Sequence, residues 1–224
     1  MGHGNATPTG TLRFAAPSTF AQLYTAPLLP EFLKRHPGIN LDLRFSDTQF
    51  DLFEGSYDLA LRSSSLADSS LKVRKLADDE RLLCASPAYL EEQDAPRLPS
   101  DLAHHHLVAF RDQAPKQLTG KDGGSGQFDP RGAKCRVVVD DGLSLKIATL
   151  AGAGISMNSL WSVHREIADG ALVRILPDCQ IDDQVALWLV YPKSNVLTAK
   201  VRVFIDFLLE KIGKAPPWLD ARQQ

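Results

Sequence analysis

Apolar and polar residues alternate over residues 39–45 (INLDLRF), which predicts a strand with one buried face. A shorter apolar run at residues 11–16 predicts a second strand, and a helical pattern separates the two over residues 20–36. Pro27 and Pro30 lie within this helical pattern, and each lacks the amide donor that a regular helix needs. We therefore expect a strand, an irregular helix and a strand, the repeating unit of a parallel sheet covered by helices.

The same alternation of strands and helices continues along the rest of the chain. Helices are predicted from Pro87, over residues 143–151, and between Thr198 and Gly213. Residues 113–131 contain four glycines and predict a long mobile connection. Further strands are predicted from short apolar runs at residues 57–61, 71–76, 81–85, 107–110, 135–140, 154–158 and 185–191.

Polar residues follow the first two strands, at the edge of a parallel sheet where ligands usually bind. Ser18 and Thr19 precede the first helix, where free backbone amides attract anions. Thr19 and Gln22 have the spacing of a capping box, so the residues by themselves favour a capping role over ligand contact. Asp47 follows the second strand, and a cap for a short helix over residues 48–54 is as reasonable a role for it as any other.

The later strands also end in residues with two alternative roles. Arg62 could bind a carboxylate through two hydrogen bonds or form a structural ion pair with Asp58, and the sequence favours neither role. Phe110 ends a strand and is a candidate for ligand contact. Asp141 lies between a strand and a helix, where an aspartate usually caps the helix.

Composition excludes several classes of function. Lys and Arg number 25 against 27 Asp and Glu, a net charge of −2, so no overall positive field attracts nucleic acid. The three cysteines are far apart and lack the spacing of a metal site, which is typical of reduced thiols in a cytoplasmic protein. No apolar run approaches the roughly 20 residues of a membrane span, and the first residues lack a signal-peptide core. We therefore expect a cytoplasmic domain that binds neither DNA nor membranes by itself.

The sequence contains no constellation typical of a cofactor site or an enzyme. His104, His105 and His106 are adjacent and point in different directions, unlike a helical pair of metal ligands. Ser86 and Ser156 lack the glycine-flanked turn of an activated serine nucleophile. We expect no metal, no cofactor and no catalysis.

Four short motifs occur in order: DLALR at residues 58–62, DSSL at 68–71, ASPAYL at 85–90 and LPSDLAH at 98–104. Together they resemble the effector-binding domain of LysR-type transcriptional regulators, and the resemblance extends over residues 10–212. Such regulators begin with a winged helix-turn-helix, whereas this chain enters at the first strand of the sensor domain. We therefore interpret it as the sensing half of a regulator without the half that reads DNA.

The resemblance implies a fold of the α/β class, the two-lobed periplasmic-binding-protein type II-like fold. Each lobe has a mostly parallel sheet flanked by helices, and two crossover strands join the lobes. Lobe I is expected at residues 10–84 plus 187–215, and lobe II at residues 85–186. Residues 1–9 are expected to be a disordered tag or linker remnant, and residues 216–224 a C-terminal tail.

The resemblance also implies a function. A small-molecule effector, such as a carboxylate, would bind in the cleft between the lobes and control DNA binding or activation by the full-length protein. The loop after the first strand lines that cleft in the family, which reverses the preference for a purely capping role. The hydroxyls and Arg62 would suit a carboxylate, whereas the aspartates would equally suit a cationic or neutral polar ligand. The candidate effector contacts are Ser18, Thr19, Asp47, Thr48, Arg62, Ser63, Phe110, Asp141 and Leu143.

The family further implies an antiparallel homodimer, and a tetramer in the full-length protein. Residues 20–34 and 143–151 are the expected contact segments of the dimer. DNA would be bound only through the absent N-terminal domain. A free-standing, exported solute-binding protein of the same fold is the alternative function. An enzyme of this fold would need a clustered acid/base set, which the sequence lacks.

Overall fold

The described residues divide into two compact units. Unit 1 contains the described residues of Met1–Asp78 and Val185–Pro217, and unit 2 contains those of Asp79–Gln184 and Trp218–Gln224. The computed structural model describes residues 7–47, 57–64, 71–132, 134–193 and 197–219. The helical turns expected over residues 48–54 lie outside these ranges.

The described residues contain thirteen strands and six α-helical segments. The strands are β1 (Gly10–Ala16), β2 (Ile39–Phe45), β3 (Leu59–Ser64), β4 (Leu71–Asp79), β5 (Arg81–Ala85), β6 (Leu107–Phe110), β7 (Lys116–Thr119), β8 (Ser125–Phe128), β9 (Cys135–Val139), β10 (Ile155–Ser159), β11 (Val173–Ile175), β12 (Gln180–Ile181) and β13 (Val185–Pro192). The helices are α1 (Ser18–Phe20), α2 (Leu29–Arg35), α3 (Pro87–Glu92), α4 (Gly142–Leu150), α5 (Leu160–Ala168) and α6 (Ala199–Leu208). Among the described residues, no helix is both long and apolar enough to cross a membrane.

Unit 1 contains a five-stranded sheet in the order β2-β1-β3-β13-β4. β1 pairs in parallel with β2 and β3, and β13 runs antiparallel to β3. The pairing of β1 with β2 extends from Gly10 beside Ile39 to Ala16 beside Phe45. Both strands therefore end at the same edge of the sheet, which is the edge that carries the polar residues after them.

Helix α6 closes the core of unit 1 against the sheet. The Phe204 ring lies edge-on to Phe14 of β1 at 5.1 Å and to Phe32 of α2 at 4.8 Å, measured between ring centroids. All three rings are completely buried, and aromatic pairs favour this perpendicular geometry. The final helix predicted from the sequence is therefore confirmed, and it continues as a π-helical turn to Gly213.

The first helix of unit 1 is irregular, as its two prolines predict. Helix α1 continues as a π-helical turn over Ala21–Thr25 and a 3₁₀ turn over Ala26–Leu28 before α2 begins at Leu29. Pro27 lies in the 3₁₀ turn and Pro30 in the first turn of α2, where a missing amide donor is tolerated. The expectation of a bent or divided helix is confirmed.

Unit 2 contains a five-stranded sheet in the order β11-β5-β10-β6-β9 and a three-stranded sheet in the order β12-β7-β8. Strand β6 pairs in parallel with β9 and β10, whereas β5 runs antiparallel to β10 and β11. The expected α/β class is confirmed, with parallel and antiparallel pairs in each five-stranded sheet. Helix α5 and the short strands β11 and β12 have no counterpart among the predicted elements.

The expectation of a mobile connection over residues 113–131 is wrong. This segment folds as the β7–β8 hairpin, and β12 extends it to three strands. Leu118 and Phe128 of the hairpin are buried in the core of unit 2. Gly126 passes directly against the backbone of Pro99, so this glycine permits close packing rather than motion.

Gly126→Ala is expected to lower the free energy of unfolding by about 1–3 kcal/mol, the usual effect of overpacking. A Cβ at this position would collide with the Pro99 carbonyl, and backbone atoms cannot move aside as a side chain can. Gly124→Ala is the control, because a Cβ there would meet only the Asp122 side chain, at 3.3 Å. Urea unfolding followed by circular dichroism measures both variants, and equal stabilities would contradict the close packing of the hairpin.

Candidate functional site

At the polar edge of unit 1, the side chain of Asp47 joins the end of β2 to the start of the first helix. Its carboxylate accepts one hydrogen bond from the backbone amide of Ser18 and another, at 3.4 Å, from the Thr19 hydroxyl. The amide of Ser46 donates to the carbonyl of Ala16 at 3.0 Å, which continues the pairing of the two strands. Asp47 therefore supplies the negative charge that a helix N-terminus favours.

The expected capping box between Thr19 and Gln22 is wrong. The helix begins at Ser18, one residue earlier than that spacing requires, with Pro17 in the capping position. Thr19 is consequently inside the first turn, where it is 2% exposed and donates its hydroxyl to Asp47. The cap comes from the end of another strand, a distant partner that local spacing does not reveal.

Arg62 and Ser63 lie at the same edge of unit 1, on β3. Ala60 stands beside Ala15 of β1, so the next residues of β3 lie level with the point where β1 ends. The carboxyl ends of three parallel strands thus bring five of the six candidate contacts of unit 1 to one edge of the sheet. Thr48, the remaining candidate, lies outside the described residues.

The Asp58 carboxylate, the alternative partner considered for Arg62, is held by two other groups of unit 1. It accepts a hydrogen bond from the Lys200 ammonium of α6 at 2.9 Å and another from the Arg13 amide of β1 at 2.9 Å. The charge of Asp58 is therefore balanced by Lys200. This ion pair fastens α6 to the start of β3 and is not part of the candidate site.

In unit 2, β6 and β9 also end side by side. Arg111 donates its amide to the Val139 carbonyl at 2.6 Å, one residue beyond the end of β6. The Phe110 amide donates to the side-chain oxygen of Gln113 at 3.2 Å, and Asp112 between them has a φ of 60°, in the left-handed region. Aspartate tolerates this conformation better than most residues do. The turn therefore holds Phe110, which is partly buried, at the end of its strand.

Asp141 caps helix α4, the structural role that the sequence favours for it. Its carboxylate accepts the Ser144 amide at 2.8 Å, and its backbone is extended, the usual conformation of a capping residue. Leu143 lies in the first turn of α4 with 37% of its surface exposed. Phe110, Asp141 and Leu143 therefore lie at or just after the ends of two paired strands.

A buried polar cluster beneath α4 has no signal in the sequence. The Ser156 hydroxyl lies 2.6 Å from the Thr149 hydroxyl and accepts a hydrogen bond from the Asn158 side chain at 2.7 Å. The Cys84 thiol accepts another from Asn158 at 3.5 Å. Burial raises the pKa of Cys84 to about 11, so this thiol stays protonated and is a poor nucleophile. The cluster attaches α4 to its sheet and offers no reactive group.

Two of the three adjacent histidines have structural partners. The Tyr89 hydroxyl accepts the His106 amide at 3.0 Å, and it also forms a hydrogen bond with Nδ1 of His105, 3.1 Å away. Burial lowers the pKa of His105, which favours the neutral form of its ring. Across the described residues, no group of three His, Cys, Asp or Glu side chains is arranged to hold a metal ion.

The two α/β units, each with polar residues at the carboxyl ends of paired strands, define a ligand-binding domain with the periplasmic-binding-protein type II-like fold. The family model "LysR substrate binding domain" matches residues 5–213, nearly the whole chain. The chain therefore belongs to the LysR substrate binding domain family, the regulatory, effector-binding domains of LysR-type transcriptional regulators.

Two curated relatives are named as transcriptional regulators. The chain is 34% identical over 215 residues to the HTH-type transcriptional activator AaeR of Escherichia coli (strain K12), a match that covers 94% of this chain and 68% of that protein. It is 32% identical over 206 residues to the HTH-type transcriptional regulator CrgA of Neisseria meningitidis serogroup C (strain 8013), covering 92% of this chain and 68% of that protein. The chain thus spans about two thirds of the length of these relatives.

Comparison with solved structures also identifies regulators of the LysR type. The regulatory domain of CrgA, a LysR-type transcriptional regulator from Neisseria meningitidis, has a TM-score of 0.78 at 30% identity, covering 92% of this chain and 100% of that one. The full-length virulence activator AphB of Vibrio cholerae has a TM-score of 0.78 at 28% identity, covering 90% of this chain and 68% of that one. These relatives are regulators, so the alternative of a free-standing solute-binding protein is not supported.

Asp141→Ala is expected to lower the free energy of unfolding by about 1 kcal/mol, because it removes the cap of α4. Asp140→Ala is the matched control. The Asp140 side chain is 61% exposed and 4.0 Å from Arg111, so its loss should change stability by less than about 0.5 kcal/mol. Urea denaturation at neutral pH compares the two variants, and equal losses would argue against Asp141 as the cap.

Proposed function

We propose that this domain senses a small molecule carrying a carboxylate and transmits its presence to a DNA-binding domain elsewhere in the full-length protein. The relatives named above are HTH-type transcriptional regulators of which this chain matches about two thirds, which supports a role as one part of such a regulator. The domain would act in the cytoplasm, where the regulated DNA lies. Its family consists of regulatory domains, so we propose binding rather than catalysis.

The hydrogen bond from the Ser18 amide to Asp47 carries this proposal for unit 1. It joins the residues that follow β1 to those that follow β2, and Arg62 lies at the same edge on the next strand. Open α/β sheets present their ligand-binding groups at this edge. The proposed contacts in unit 1 are Ser18, Thr19, Asp47, Thr48, Arg62 and Ser63.

The charges at this edge favour a ligand that has both an acidic group and a hydrogen-bond donor. The Asp47 carboxylate already accepts the Ser18 amide, so an anionic group would be repelled from the helix N-terminus. Arg62, near the end of β3, has a guanidinium that can bind a carboxylate through two hydrogen bonds. We therefore propose that the carboxylate of the effector faces Arg62, and that a hydroxyl or amine of the effector faces Asp47.

Phe110, Asp141 and Leu143 are the proposed contacts in unit 2. Phe110 and Leu143 would contact the apolar part of the effector, since both side chains are partly or largely accessible. Asp141 already accepts the Ser144 amide, but a carboxylate has lone pairs for more than one donor. Asp141 would therefore accept a further hydrogen bond from the effector without releasing α4.

Transmission of the signal requires only that the effector bind one arrangement of the protein better than another. A coupling free energy of about 1–3 kcal/mol would change the affinity for DNA by roughly 5–150-fold. Such a difference is within reach of one charge-assisted hydrogen bond, which contributes about 1.5–3 kcal/mol.

Thermal unfolding of this chain with a panel of hydroxy and amino carboxylates tests the proposed contacts. A ligand at about 100 times its dissociation constant should raise the free energy of unfolding by about 2.7 kcal/mol. Arg62→Gln should remove most of this stabilisation, because it removes the cationic partner of the carboxylate. Arg202→Gln is the control: it removes an exposed cation from α6 and should leave the stabilisation unchanged.

Two results would count against this assignment. A ligand whose affinity is the same in the wild type and in Arg62→Gln would exclude Arg62 as the carboxylate partner. A stabilising ligand without a carboxylate, found when the panel contains matched neutral amides, would exclude the proposed class of effector.

We also propose that the domain forms an antiparallel homodimer, which assembles further into a tetramer in the full-length protein. In this dimer, residues 20–34 of one copy contact residues 143–151 of the other. Ile147 on α4 is 54% exposed, and Leu33 in the other segment is 40% exposed. These two apolar side chains would be removed from water in such a dimer, which is favourable.

Ile147→Asp is expected to turn the dimer into a monomer in sedimentation velocity, because it places a charge in an apolar interface. Ile147 is largely exposed, so the folded monomer should lose less than about 0.5 kcal/mol of stability. Gln127→Asp, an exposed change on β8 that adds the same charge, should remain dimeric. An Ile147→Asp variant that sediments like the wild-type dimer would exclude this surface.

A further inference from the structure

Unit 2 contains a cavity of about 250 Å³ whose lining residues include none of the effector contacts proposed above. It lies between β5 and β11 of the large sheet on one side and β7 and β12 of the three-stranded sheet on the other. The folded hairpin therefore forms one wall of this cavity. All of the lining residues belong to unit 2.

Aliphatic side chains line one part of the cavity, which we call its floor. It lies at the edge of the hydrophobic core of unit 2, where buried and partly buried apolar residues meet. A branched aliphatic group that entered it would exchange contact with water for contact with this core, which is favourable. The floor consists of Leu83, Leu118, Ile175, Leu176, Cys179 and Ile181.

Charged side chains of both signs surround the mouth of the cavity. Arg174 forms an ion pair with Glu80 at 2.8 Å, and Lys116, beside the mouth, forms one with Asp183 at 2.7 Å. Three acids and three bases take part, so the formal net charge of the mouth is zero. The six residues are Asp79, Glu80, Arg81, Lys116, Arg174 and Asp183.

Arg81 lies between two carboxylates of this group. Its guanidinium forms ion pairs with both, at 3.6 Å from Asp79 and 3.9 Å from Asp183. The Asp79 side chain is completely buried and that of Asp183 is 11% exposed, so water and salt screen their charges poorly. A ligand with a net charge would upset the balance of the mouth, whereas a zwitterion can face groups of both signs at once.

From this geometry we infer a second ligand site, which binds a free α-amino acid with a branched aliphatic side chain. The aliphatic chain enters the floor of the cavity. The ammonium group faces Asp183, and the carboxylate faces Arg81 and Arg174. The cavity is smaller than the range of about 300–1,000 Å³ usual for larger ligands, which suits a molecule of this size.

Protection of Cys179 from alkylation tests this site in the wild-type protein, with leucine as the probe. Cys179 lines the cavity, and Cys135 on β9, which is also partly buried, is the internal control. Burial raises the pKa of both thiols, so the two are compared at the same alkaline pH. With leucine at about ten times its dissociation constant, iodoacetamide should modify Cys179 roughly tenfold more slowly, and Cys135 at an unchanged rate, as measured by mass spectrometry.

An unchanged rate at Cys179 up to the solubility limit of leucine would overturn the inference. Two analogues test the zwitterion: 4-methylpentanoate lacks the ammonium group, and 3-methylbutylamine lacks the carboxylate. Each should bind at least about tenfold more weakly than leucine, because it loses one set of charge contacts. Equal protection by all three compounds would identify a merely hydrophobic cavity and would overturn the assignment to amino acids.

Matched variants separate this site from the effector contacts of unit 1. Arg174→Gln should weaken the protection by leucine at least about tenfold, whereas Arg131→Gln, an exposed change elsewhere in unit 2, should not. Protection that is lost in Arg62→Gln but kept in Arg174→Gln would mean that leucine acts from the strand ends of unit 1, and would overturn the cavity site. The reverse result supports the cavity site whether or not the proposed effector contacts are correct.

Discussion

The parallel pairing of β1 with β2 is the constraint on which the polar edge of unit 1 depends. The two strands remain in register from Gly10 beside Ile39 to Ala16 beside Phe45. A shift of one residue would turn every side chain of a strand to the opposite face, so buried side chains such as Phe14 hold this register. The register in turn brings Asp47 to the amide of Ser18. Packing in the core of unit 1 therefore determines where the Asp47 carboxylate lies at the edge of the sheet.

In both units an aspartate that follows a strand binds a backbone amide at the start of a helix. The two cases differ in how far apart the partners are along the chain. In unit 2 Asp141 caps α4, the helix that follows it directly. In unit 1 Asp47 accepts the amide of Ser18, on a helix that precedes it in the chain. In each case a backbone amide that could have bound an anion is already occupied. An acidic ligand at these edges would therefore have to be bound by side chains, such as that of Arg62, which we propose for unit 1.

The β7–β8 hairpin shows how glycine-rich composition can mislead. Gly126 is required because the backbone of Pro99 passes too close for a Cβ. Leu118 and Phe128 then fasten the hairpin into the core. Once ordered, the hairpin forms a wall of the unit 2 cavity and contributes Lys116 to the charges at its mouth.

The sequence by itself determined many of the local elements and the family. The bounds predicted for residues 39–45 and 107–110 coincide with β2 and β6, because alternation and apolar runs depend on adjacent residues. The divided first helix and the capping role of Asp141 were likewise readable from nearby prolines and from position. Together with four ordered motifs, these local signals were enough to identify an α/β effector-binding domain.

Only the tertiary structure decided which distant groups meet. The contact of Asp47 with Ser18, the burial of the hairpin and the ion pair of Lys116 with Asp183 all join residues far apart in the chain. No periodicity or spacing encodes such partners, because they follow from how whole sheets and helices pack. The same packing leaves a cavity in unit 2, whose lining residues come from five separate strands.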